Sequence, residues 1–193
     1  MKIFNITRNR YIFAALFAAM IAVSVFFAVP LPGGVPIVLR NLFVVLSGAV
    51  LGSFYGGIAV LIFIAAGIAG IPVFVIPGGL GVFLTPLGGY IIGYFIGGLV
   101  TGLICGLPKI SEKKVRPIFV IRLCIALFFG FALILTCGMF YMMFLNSMPF
   151  KAALAAGIVP FLPGDVIKLI ACIPLALKLR PIAARYINPE AMS

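Results

Sequence analysis

The chain has no histidine and only three acidic residues among 193, Glu112, Asp165 and Glu190. With one acid embedded in an apolar run and no second carboxylate beside it, general acid–base and metal chemistry lack their usual groups, which argues against a membrane enzyme. No G-x-x-x-x-G-K-[ST] run occurs, so the chain has no phosphate cradle of that kind and no such route to ATP hydrolysis. Charged residues are scarce, at 9% of the chain, against 65% hydrophobic residues and a mean hydropathy of +1.36. That balance places it among integral membrane proteins, and its length fits one domain, residues 1–193. The formal charge of +11 raises nucleic acid as a partner. Most of the basic residues flank apolar runs instead of forming a stripe, which fits the positive-inside pattern and not a nucleic-acid interface. Cys105, Cys124, Cys137 and Cys172 sit in apolar segments without metal-type spacing and read as small packing residues.

Six stretches are long enough to cross a bilayer, which needs about 20 residues, fewer where the run is Gly-rich. They are 11–29, 37–54, 56–71, 87–107, 117–142 and 162–180, separated by Pro/Gly breaks such as "VPLPGGVP" and "SFYGG". The first follows a basic start but is as long as a full span and lacks a small-residue cleavage site, so it reads as a retained helix. Between the fifth and sixth, "NSMPFKAALAAGIVPFLPG" predicts a short helix at the membrane surface. The expectation is an all-α integral membrane protein of six spans. Lys2, Arg8 and Arg10, the loop with Lys109, Lys113, Lys114 and Arg116, and the tail with Lys178, Arg180 and Arg185 carry nearly all the flanking positive charge. Both termini are therefore expected on the cytoplasmic side of the cell membrane.

Three charges stand inside spans near the outer side: Arg40 in the second, Asp165 and Lys168 in the sixth. At ~1.5 Å per residue all three lie about 5 to 9 Å in from the outer ends. Each costs roughly 2.5 to 3.5 kcal/mol at the centre of a lipid-facing helix and less near the interface, so partners or function must recover the burial. Asp165 and Lys168, three apart, share a helix face. One reading pairs them with each other, or has Asp165 cap its helix after Pro163 and Gly164. Another uses the sum: two cations and one anion leave a net positive cavity for a small organic monoanion, with Asp165 free to accept N–H groups from a neutral polar ring. Arg122, close to the inner end of the fifth span, can snorkel.

"PGGLGVFLTPLGGYIIGYFIGGLVTG" repeats glycine at four-residue spacing, Gly89, Gly93 and Gly97, then Gly98, Gly102 and Gly106, which lets helices approach closely. The uncharged loop before it, with Phe74, Phe83 and Tyr90, has the composition of a lid over a ligand.

With "VPIVLRNLFVVLSGAVLG", "GIAGIPVF", "GGLGVFLTPLGGYIIGY" and above all "GIVPFLPGDVIK", the chain resembles the BioY proteins, the biotin-binding S components of energy-coupling factor (ECF) transporters. It departs from the family pattern at "TPLGGY", usually Gly-Pro-Thr-Gly-Gly-Tyr, and at "VLRN", usually Thr-Leu-Gln-Thr, which puts Arg40 where a neutral residue is common. The resemblance implies a six-helix S-component fold that captures biotin from outside. It also implies docking to a transmembrane coupling protein and two ATPase subunits, with no cofactor. Asp165 and Lys168 would face biotin, Tyr90, Gly88 and Gly89 would line the lid side, and Phe74 and Phe83 would cover the thiophane ring. Arg40 joins them from its depth and charge. Ala14, Ala18 and Ala22 resemble the alanine stripe that S components present to the coupling protein. Two alternatives stay open: an S component for another vitamin, and a secondary transporter in which Asp165 cycles a proton.

Overall fold

A computed structural model of the chain describes residues 2–29, 37–74, 79–113 and 116–188. The expected break at 30–36 and the centre of the expected lid, 75–78, lie outside the described residues. Helices α1 (Lys2–Val23), α2 (Arg40–Ile68), α3 (Leu87–Cys105), α4 (Pro117–Leu145), α5 (Phe150–Gly157) and α6 (Leu162–Ile187) account for most of the described chain. Among the described residues, the extended ones form one two-residue ladder, Ala28–Val29 against Ile37–Val38, between α1 and α2. Among the described residues, five helical stretches are long and apolar enough to cross a membrane, where the sequence led us to expect six.

The difference has one source, at Gly52. The expected spans 37–54 and 56–71 fall within α2, whose regular geometry breaks at Gly52, with φ 79° and ψ 178°. That conformation is essentially restricted to glycine. The chain folds back there: a Cβ on Gly56 would lie 2.6 Å from the Gly48 Cα, although residues eight apart in a straight helix are about 12 Å apart. Segments 40–51 and 53–68 are thus two arms running against each other, and the Ser47 hydroxyl reaches the Gly56 carbonyl at 3.5 Å.

The glycine repeats of α3 serve two neighbours. Gly93 and Gly97 meet Ile134 and Gly130 of α4, while Gly98 and Gly102 meet Val60 and Ser53 of α2. Since lipid tails are as apolar as the helices, this close van der Waals approach, not water exclusion, drives association. Gly106 ends α3 in a left-handed conformation, φ 68°, in place of a packing role. Helix α4 starts with Pro117 in its first turn, where a missing N–H is harmless. Helix α6 runs seven residues past its expected end despite Pro174 and Pro181 inside it. Its C-terminal part is held by Arg180, fully buried, which is ion-paired with Glu112 at 2.8 Å and donates to the carbonyls of Ala49 and Cys105. These contacts gather the ends of three helices on the side opposite Asp165.

Candidate functional site

Asp165 lies in the first turn of α6, after Pro163 and the buried Gly164, and Lys168 stands one turn further on. Their side chains form an ion pair, and both are only 6% exposed. Asn41, at the start of α2, donates from Nδ2 to Asp165 Oδ1 at 3.4 Å and so ties the two helices together. Asp165 Oδ2 is buried without a hydrogen-bond partner among the described residues. The carboxylate is paired on one side and open on the other.

Arg40, adjacent to Asn41, is also buried. Its Nη2 donates to the Val73 carbonyl at 2.9 Å, its guanidinium carbon stands 5.3 Å from the Phe63 ring centroid, and Tyr94 of α3 is in polar contact with it. No carboxylate pairs with Arg40 among the described residues, and its Nε has no acceptor there. Phe74 extends this cluster: its ring meets Phe63 edge-on at 5.5 Å and fills the space beside Gly67, where a Cβ would lie 2.1 Å from the ring. The Gly79 N–H bonds the Gly67 carbonyl at 2.8 Å, so both described ends of the loop between α2 and α3 are pinned to the end of α2. An apolar recess of about 210 Å³ between α4 and α6, walled by Phe131, Leu135, Leu162 and Leu169, has Asp165 in its lining.

Asp165 and Lys168 thus pair directly, Asn41 ties Asp165 to the start of α2 beside Arg40, Tyr94 lies within electrostatic reach of both Arg40 and Asp165, and Phe74 reaches Arg40 through Phe63. Other expected site residues have different neighbours. The Tyr90 hydroxyl donates to the Gly157 carbonyl at 2.7 Å, and its ring packs on Gly138 and beside Phe161, 5.8 Å between centroids. Gly88 lies against Phe83 and Tyr141, and Gly89 against Tyr141 and Cys137. Gly89 thus faces α4, and Gly88 faces both α4 and the 80–84 turn. Phe83 is half-buried, and its carbonyl accepts from the Tyr141 hydroxyl.

Ala14 and Ala18 are 0% and 4% exposed within the chain's own core, and Ala22 is half-buried. The exposed small residues of this helix are Ala15 and Ala19, because the 14/18 face is the one that packs inside.

Three contributors escaped the sequence reading. Asn41 carried a signal, a polar side chain beside Arg40 in an otherwise apolar run. Tyr94 carried a weaker one, four residues from Tyr90 on α3. Phe63 carried none, since an aromatic in a span is ordinary. Among the described residues no group of three or more His, Cys, Asp or Glu side chains could hold a metal.

Comparison with known proteins gives the chain its relatives. A biotin transporter BioY of Thermotoga maritima is 36% identical over 170 residues, spanning 88% of this chain and 94% of that protein. A biotin transporter BioY of Lactococcus lactis is 32% identical over 147 residues, 76% of each chain. The crystal structure of the S component for biotin from an ECF-type ABC transporter superposes with a TM-score of 0.74 at 30% identity, covering 90% of this chain and 92% of that one. Residues 2–185 match the BioY family profile, and the chain belongs to the BioY family.

Proposed function

We propose that this protein takes up biotin as the membrane-embedded S component of an ECF-type transporter, capturing the vitamin from outside the cell. What supports the reading is a buried acid, ion-paired on Oδ1 and with no partner for Oδ2 among the described residues, near a buried arginine that has no anion among those residues. Biotin offers the complementary groups in order, a ureido ring with two N–H donors, an apolar thiophane and chain, and a terminal carboxylate. The ureido N–H groups bond Asp165, Lys168 donates to an oxygen of the ligand, and the carboxylate neutralises Arg40. Phe74 and the recess beside Asp165 receive the apolar part. Tyr90, Gly88, Gly89 and Phe83 shape the lid side by fixing α3 against α4 and α5.

The chain crosses the cell membrane six times, with 40–51 and 53–68 as separate short crossings and α5 lying along the outer surface. Both termini are cytoplasmic, on the side of Arg180 and Glu112. The fold-back at Gly52 supports this count, because it returns the chain toward the side from which it came. A transmembrane coupling protein and two ATPase subunits supply the energy. In this conformation α1 offers them its Ala15 and Ala19 face.

Purified protein tested with labelled biotin, thiamine, riboflavin and pantothenate should bind biotin alone; preference for another vitamin would overturn the cargo. Uptake in cells should need the ATPase module and resist an uncoupler. Uptake abolished by the uncoupler and indifferent to the ATPases would instead favour proton cycling at Asp165.

A further inference from the structure

The end of the molecule opposite Asp165 holds a second polar site that biotin capture does not use. A cavity of about 580 Å³ opens there between the end of α3, the 110–113 turn and the start of α4. Lys109, Arg116 and Arg122 are in its lining, with Glu112. Glu112 is already committed, holding Arg180 through two bonds of 2.8 and 2.9 Å. Its charge is therefore balanced from inside the protein, and three cations face the cavity against no uncommitted acid among its lining residues. The N-terminus of α4, which begins at Pro117, adds the positive end of a 29-residue helix dipole.

The lining is also amphipathic. Leu107, Ile118 and Phe119 form its apolar part. Above it on α4, Ile118, Ile121 and Ile125 are 73%, 56% and 46% exposed, at helical spacing, and continue the cavity outward as an apolar track. Arg122 lies among these residues, with its Nε bonded to the Ile104 carbonyl at the end of α3, so its charge is fixed at the mouth of the cavity. A soluble anion needs the cations and has no use for the track.

We propose that this cavity binds the phosphate headgroup of an anionic phospholipid of the inner leaflet, with an acyl chain lying along Ile118, Ile121 and Ile125. Basic pockets between membrane helices on the cytoplasmic side recognise such headgroups. Arg116, Arg122 and Lys109 bind the phosphate oxygens. Arg180 and Glu112 keep the turn that forms the cavity in place, and neither touches the lipid.

The test is phosphatidylglycerol binding by native mass spectrometry, and by thermal stabilisation in nanodiscs of phosphatidylcholine with or without phosphatidylglycerol. At about a fivefold loss per surface cation removed, Arg116→Gln with Arg122→Gln weakens phosphatidylglycerol binding about 30-fold, while Lys151→Gln on α5 leaves it unchanged. Because Arg122 also holds Ile104, the pair Lys109→Gln with Arg116→Gln is measured alongside, and biotin affinity reports folding in every variant. Equal phosphatidylglycerol binding by wild type and both double variants overturns the proposal. So does stabilisation by inorganic phosphate in pure phosphatidylcholine that matches that of the lipid, which would make the site one for a soluble anion.

Discussion

Neutralising both members of the Asp165–Lys168 pair separates a ligand site from a structural ion pair. Asp165→Asn leaves the buried Lys168 ammonium without its carboxylate, and Lys168→Met leaves the carboxylate, among the described residues, with only the 3.4 Å contact from Asn41. Breaking a buried pair by removing one partner costs about 3 to 5 kcal/mol. The double variant carries neither charge, and replacing a buried pair by uncharged groups is often close to neutral. Stability should therefore fall in each single variant and largely return in the double. Biotin affinity should behave differently. In the proposed binding mode Asp165 and Lys168 each contribute a hydrogen bond involving an ionised group, at about 1.5 to 3 kcal/mol apiece. Losing both weakens binding by about 3 to 6 kcal/mol, a factor of roughly 10² to 10⁴ in Kd. Thermal unfolding in detergent gives the first quantity and titration calorimetry the second. A double variant that regains stability and also binds biotin like the wild type would show instead that the pair serves the fold alone.

Arg40→Gln should lower affinity for biotin about tenfold or more and leave biotin amide nearly unaffected, since only the acid supplies an anion to the guanidinium; competition binding with the two ligands checks this. Gly52→Ala should destabilise the protein by about 1 to 3 kcal/mol, because φ 79° with ψ 178° is strained for any residue with a Cβ, as thermal unfolding would report. Arg180→Met should cost about 3 to 5 kcal/mol by stranding Glu112, and combining it with Glu112→Gln should restore part of the loss in the same assay.

How much of this was legible in the sequence depended on how costly each feature is. Charges inside apolar runs are expensive, so Arg40, Asp165 and Lys168 stood out, and the known rise of a helix placed them at a common depth. The α3 glycines were equally visible as close-packing positions. Their division between α2 and α4 was not, because two neighbouring four-residue repeats look alike until the helix is rotated. The same ambiguity affects α1: "AALFAAMIA" contains small residues on both the 14/18 and 15/19 faces, and only packing against the rest of the chain decides which is exposed. The reversal within α2 was expected at "SFYGG" and occurs earlier, at Gly52. A turn made by one backbone conformation, with no charged residue to mark it, resembles any other glycine in a membrane helix.

The most direct measurement is the structure of the protein with biotin bound. The account predicts ureido nitrogens within hydrogen-bond distance of the Asp165 carboxylate and the biotin carboxylate at Arg40. A biotin molecule seated elsewhere, with the Asp165–Lys168 pair unchanged and out of contact with it, would contradict the account.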